Sequence, residues 1–246
     1  MSIDRKTLKL VHSAQREKGE REMKGTILLC LLTATFMNLG FAQDPMYEIT
    51  RVRTQVLEEG PSAYSEYELE KGGKVGQVLA VLDGIIAIGE KVYKIVKAGE
   101  PVATTKYAPV SVLPRDSKGD MIEALSLENW NYPKSRKIKI VFENGFGMDV
   151  VTFVYTITFS YGGRLDGQGR YLTGVMIVPD EVSLAWGFDF NSEFKVHAIT
   201  NHGTKADPVA GATLELSYTV QPKLPIQVRH YRTLYHVTGN GMLKEI

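Results

Sequence analysis

Between Val182 and Asn191 apolar and polar residues alternate without a break, Val182, Leu184, Trp186, Phe188 and Phe190 against Ser183, Ala185, Gly187, Asp189 and Asn191. Successive side chains of an extended strand point to opposite faces, so a period of two predicts a half-buried β-strand and is incompatible with a helix. On this pattern Trp186 is a core residue. Leu214, Leu216, Tyr218 and Val220 repeat the alternation against Thr213, Glu215, Ser217 and Thr219. Ile138, Ile140 and Phe142 do so against Lys137, Lys139 and Glu143, and Val151 to Tyr161 against Thr152, Thr156, Thr158 and Ser160.

Turn chemistry separates these runs. Glu143-Asn144-Gly145-Phe146-Gly147 reads as a hairpin turn, and SYGGRLDGQGRYL supplies another before a strand over 171–178. With 109–113, 193–200 and 226–238 added, about eight strands in antiparallel succession predict a β-sandwich over 103–246. A closed barrel is the second choice. An outer-membrane barrel fits less well, because the strands are short and uneven and the chain ends Leu243-Lys244-Glu245-Ile246 without a terminal aromatic. The basic stretch Lys134-Ser135-Arg136-Lys137-Ile138-Lys139 reads as a solvated edge strand.

Upstream, KVGQVLAVLDGIIAIGEKVYKIVK breaks the period. Projected at the helical angle, its apolar residues, among them Leu82, Ile85, Ile86 and Tyr93, fill an arc of roughly 200°. Asp83, Glu90, Lys91 and Lys94 occupy the remainder, which argues against a membrane span. The expectation is one long amphipathic helix over 74–98, stopped by Ala98-Gly99-Glu100-Pro101. Gly84 and Gly89 each weaken such a helix by about 1 kcal/mol relative to Ala. The mainly β, antiparallel sandwich is thus expected to be preceded by one helix, itself preceded by a strand near Tyr47–Leu57 and a Gly-rich linker within 43–73.

The N-terminus carries an export pattern. Met23-Lys24 precedes an apolar core over 27–36, and Gly40-Phe41-Ala42 places small residues for cleavage after Ala42, so 23–42 reads as a signal peptide. Lys18-Gly19-Glu20 can be encoded by a purine run resembling a bacterial ribosome-binding site, so 1–22 reads as an artefact of an upstream start. The protein is expected to be bacterial and exported, periplasmic or extracellular. Cys30, the one cysteine, lies inside that segment, so disulfides, thiolate metal sites and cysteine nucleophiles are not expected downstream. Removing 1–42, with seven Lys/Arg and four Asp/Glu, leaves 22 basic against 24 acidic side chains and a net charge of −2. That balance carries no footprint for nucleic acid.

Motifs for catalysis are absent from the sequence: no GxSxG elbow, HExxH pair, P-loop or dinucleotide fingerprint occurs. Asp149, Asp166, Asp180, Glu181, Asp189 and Glu193 supply carboxylates whose separation sequence does not fix. His230 and His236 share one face of a strand, and His197 and His202 approach a turn, but neither spacing makes a metal site. No cofactor or metal is expected. Trp130-Asn131-Tyr132-Pro133 sits in a polar connection, where Trp130 and Tyr132 are candidate ligand-binding residues, able to stack on a glycan or meet a partner.

Two function classes follow, with an enzyme as a third and weaker option. The first is an exported, non-enzymatic binding or envelope-interaction module whose helix packs on its own sheet. The second is a membrane-active, pore-forming-like protein whose helix meets a lipid surface or a protein partner through Leu82, Ile85, Ile86 and Tyr93. In arrangement alone, without any sequence motif, a helix ahead of a sandwich resembles the actinoporin-like plan.

Overall fold

In the computed structural model the run predicted to be helical is strands. The structure describes residues 44–61, 77–82, 84–89, 92–98, 109–223 and 228–246. Within the run lie Gln77–Leu82 (β2), Ile85–Gly89 (β3) and Val92–Val96 (β4), after a first strand at Ile49–Pro61 (β1). Leu82 pairs with Ile85 and Val81 with Ile86, so β2 and β3 form a hairpin with Asp83-Gly84 between the paired residues. An Asp-Gly pair between β-branched runs is a strong hairpin signal, and Gly84 takes φ +85°, a region no right-handed helix uses. Every residue of β3 is buried. A strand covered on both faces has a continuous apolar sequence, which fits a wide helical arc as readily as an extended chain.

The remaining strands are Val110–Pro114 (β5), Lys134–Asn144 (β6), Asp149–Leu165 (β7), Gln168–Leu184 (β8), Phe188–Asn201 (β9), Ala210–Pro222 (β10), Arg229–Thr238 (β11) and Leu243–Glu245 (β12). They form two antiparallel sheets, one ordered β1-β6-β7-β8-β5-β3-β2 and the other β12-β11-β10-β9-β4. Neither closes into a barrel. The chain changes sheet after β3, after β4 and after β8, so β2 to β4 and β1 belong to the same sandwich-like body as the strands beyond residue 103.

Aromatic side chains fill the space between the sheets. Phe142 of β6 lies 5.9 Å from Tyr218 of β10 and 5.1 Å from Tyr231 of β11. Phe153 of β7 lies 5.0 Å from Phe190 of β9. Leu214, Leu216, Tyr218 and Val220 are all buried, as their alternation predicts.

Two other expectations are corrected. The alternation from 182 to 190 spans two strands in different sheets, with Ala185–Gly187 at the crossing, and Trp186 is 84% exposed there. Regular spacing in sequence continues through a crossing at which the face being counted changes. The basic strand β6 is flanked by β1 and β7 rather than lying at an edge. Lys134 and Arg136 pair with Glu59 of the neighbouring β1 at 3.3 and 3.0 Å, and Lys137 with Asp180 of β8 at 3.7 Å. Among the described residues no helix is long and apolar enough to cross a membrane. The signal-peptide, upstream-start and linker readings, over 1–42 and 62–73, lie outside the described residues.

Candidate end groove

The long β7–β8 hairpin turns at Asp166-Gly167, where both φ angles are positive (51° and 76°), as a two-residue hairpin with right-handed strand twist requires. Its arms reach past the sheet and receive a connection laid across them. Glu128 and Arg164 exchange backbone hydrogen bonds of 2.9 and 2.8 Å, and Asn131 N donates to the Tyr161 carbonyl at 3.0 Å. This close approach needs a bare backbone at residue 163. A Cβ on Gly163 would stand 2.4 Å from the Trp130 ring, so the indole lies directly on the strand. Trp130 Nε1 donates to the Ala124 carbonyl at 3.2 Å, which fixes the ring and with it the connection over 128–131.

On the opposite side the β11–β12 turn closes in. Gly239 sits so close to the backbone of Arg170 that a Cβ would lie 2.0 Å from its carbonyl oxygen, and Gly239 N donates to the Ala210 carbonyl at 2.7 Å. The walls enclose a groove of about 640 Å³, lined by Asn129, Asn131, Tyr161, Arg164, Arg170 and Asn240 over the backbone of Gly162 and Gly239. No carboxylate and no aliphatic side chain belongs to that lining. Asp207, in the β9–β10 loop, accepts from Gly169 N at 2.8 Å and pairs with Arg170 at 3.5 Å. Arg164 has no carboxylate partner among the described residues. Its Nη1 reaches only the Gly167 carbonyl, at 3.4 Å. The lining of amides, a phenol and a guanidinium offers hydrogen-bond donors and acceptors together with a positive charge.

No family model, curated protein or solved structure matches the chain.

A second polar cluster lies on the outer face of the five-stranded sheet. His202 Nε2 stands 2.8 Å from His236 Nε2, and Thr213 Oγ1 lies 2.9 Å from His236 Nδ1. Burial, and next the neighbouring His202, pull the His236 pKa below its usual range. Farther along, Glu215 is buried yet paired with Lys195 at 2.8 Å and with His197 at 3.2 Å. Burial pushes its carboxyl pKa up, but the Lys195 hydrogen bond and charge, with Arg232 and His197, outweigh that and hold it below its usual range. The structure thus brings His202 to His236 and sends His230 to Thr219, 3.0 Å away. Among the described residues no group of three or more potential metal ligands converges.

The sequence-predicted site residues are dispersed. Trp130 is half-buried beneath the groove wall, whereas Tyr132 is 86% exposed. Leu82 packs partly on the core, and Ile85 and Ile86 are 0% and 5% exposed. Tyr93 lies in β4 opposite Phe194. Sequence reasoning missed Arg164 and Arg170, having read the glycine-rich segment only as a turn. The available signal was Gly162-Gly163 inside a strand, which marks a place where another chain segment lies against the backbone.

Proposed function

We propose that this is an exported, non-enzymatic binding module whose ligand occupies the end groove. One observation carries the reading: a groove whose lining is amide, phenol and guanidinium, braced by glycines at both walls, with Arg164 left without an acidic partner among the described residues. Such a site offers many hydrogen bonds and no positioned nucleophile with its base, which suits recognition rather than turnover. Tyr132, next in sequence to the lining residue Asn131 and exposed, remains the ligand contact we propose from the aromatic pair. Trp130 instead acts by holding Asn129 and Asn131 in place. The membrane-active alternative drew on a helix over 74–98, and the strands found there leave it without that support.

A thermal-shift screen of the purified chain against neutral and acidic oligosaccharides, nucleotides and short peptides tests the groove. Stabilising compounds are expected to lose their effect when Asn131→Ala and Asn240→Ala are combined. Compounds that stabilise the double variant as well as wild type would place the binding site elsewhere. For export, the expected N-terminus of protein recovered outside the cytoplasm is Gln43, and an unprocessed chain retained in the cytoplasm would contradict it.

A further inference from the structure

We infer, resting on the end groove as the binding site, that its ligand is an acidic saccharide whose carboxylate or sulfate group pairs with Arg164. The two arginines of the groove are not equivalent. Arg170 is already engaged by Asp207 at 3.5 Å, while Asp207 is itself fixed by the Gly169 amide at 2.8 Å. Arg170 is thereby a positioned but largely compensated cation. Arg164 keeps its fork free apart from a long contact to the Gly167 carbonyl. A planar guanidinium with two open N–H groups matches carboxylate and sulfate oxygens bidentately, and it is the groove's one charge left to be satisfied by a ligand.

The rest of the lining selects the body that carries the anion. Asn129 and Asn240 carry amides with a donor and an acceptor, and Asn131, whose Nδ2 donates to the Tyr161 carbonyl at 3.4 Å, adds an acceptor and its second N–H, the combination that neighbouring hydroxyls on a sugar ring satisfy. With no aliphatic side chain in the lining, the groove offers nothing to an acyl chain or to the apolar side chains of a peptide. The Tyr161 ring is backed by Gly241, where a Cβ would stand 2.5 Å from it, and lies 5.9 Å from Phe159, and its phenol adds a further hydrogen-bonding group beside the amides. Hydroxyl-rich, anionic and without an apolar body describes an acidic saccharide.

The test is isothermal titration of the full chain with three tetrasaccharides: tetragalacturonate, its carboxyl-reduced neutral counterpart, and a sulfated galactose tetramer. An acidic tetramer is expected to bind at least about tenfold more tightly than the neutral one, the range of a charge-assisted hydrogen bond. Which of the two acidic tetramers binds distinguishes carboxylate from sulfate. Arg164→Gln is expected to abolish the preference without changing Tm, Asn131→Ala to weaken binding, and Lys223→Gln, beyond the end of β10 opposite the one that Gly239 bonds, to change neither. Equal binding of the neutral tetramer, or acidic binding that survives Arg164→Gln but falls with Asn131→Ala, overturns the inference and leaves the groove as the binding site. Acidic binding untouched by either variant overturns both. If none of the tetramers binds while an acidic peptide does, and in an Arg164-dependent way, the groove stands and the saccharide assignment falls.

Discussion

His202 Nε2 and His236 Nε2 face each other across 2.8 Å, one imidazole donating and the other accepting, with Thr200 Oγ1 2.9 Å from the first ring and Thr213 Oγ1 2.9 Å from the second. The pairing requires that at least one ring be neutral, and the buried ring, His236, has its pKa pulled down by burial and then by His202. Lys244 stands opposite His236 in the β11–β12 ladder and brings no acceptor for a protonated ring.

Stability should therefore fall on mild acidification. The folded chain binds fewer protons at His236 than the unfolded chain, whose histidine titrates near 6.5. Its contribution is complete above that value and is lost as pH drops below it. Urea midpoints at pH 7.5 and 5.5 are expected to differ more for wild type than for His236→Gln. An identical pH dependence in the variant would show that this pair does not couple protonation to folding.

A second buried pair ties the sheets together. Tyr155 Oη of β7 and Tyr235 Oη of β11 lie 2.6 Å apart, both rings fully buried, and burial foremost raises the pKa of each phenol. Tyr155→Phe leaves the Tyr235 hydroxyl without its partner, at a cost of about 1–3 kcal/mol. Tyr155→Phe with Tyr235→Phe removes both polar groups, so its loss should be clearly smaller than the sum of the single losses. Urea denaturation of the four proteins closes this cycle, and strict additivity would mean that the hydroxyls do not interact.

Gly163 and Trp130 make the groove wall testable without any ligand. Gly163→Ala places a methyl group 2.4 Å from the indole, so the ring must shift, the bond to the Ala124 carbonyl must weaken, and stability should fall by about 1–3 kcal/mol. In a Trp186→Phe background Trp130 is the single indole, and its emission is expected to move to longer wavelength. Unchanged emission and stability would mean that the ring does not rest on the strand. Trp186→Phe itself should alter stability by no more than about 0.5 kcal/mol, since that side chain is 84% exposed.

These residues show what could be read from the chain and why. Alternation located β7, the inward face of β10 and the β6–β7 turn, because apolar side chains take the inward positions of those strands and Thr156, Thr158, Thr213 and Glu215 the outward ones, even though these polar residues are themselves covered. It failed at Trp186, where the count runs through a change of sheet. Periodicity also failed over β3, because residues 85 to 89 are buried on both sides and carry no alternation to count, and over β2, because that edge strand exposes apolar Val78 and Val81. The groove was hidden for another reason. Asn129, Arg164, Arg170 and Asn240 are brought together by strand pairing across 111 residues of sequence, and nothing local marks them except the glycines that let the segments touch.

Gly84 separates the helical and hairpin readings by the sign of one substitution. In a helix over 74–98, Gly84→Ala would gain about 1 kcal/mol, since alanine is the better helix former. In the hairpin Gly84 holds φ +85° with open space around its missing Cβ, so nothing offsets the backbone strain that alanine brings. The expected outcome is a loss of about 1–2 kcal/mol. Gly84→Asn, which tolerates positive φ better, should recover part of it. Thermal or urea denaturation of the two variants beside wild type decides the matter: a stabilised Gly84→Ala protein would be inconsistent with the Leu82–Ile85 pairing, and with it the placement of β2 at the edge of the seven-stranded sheet.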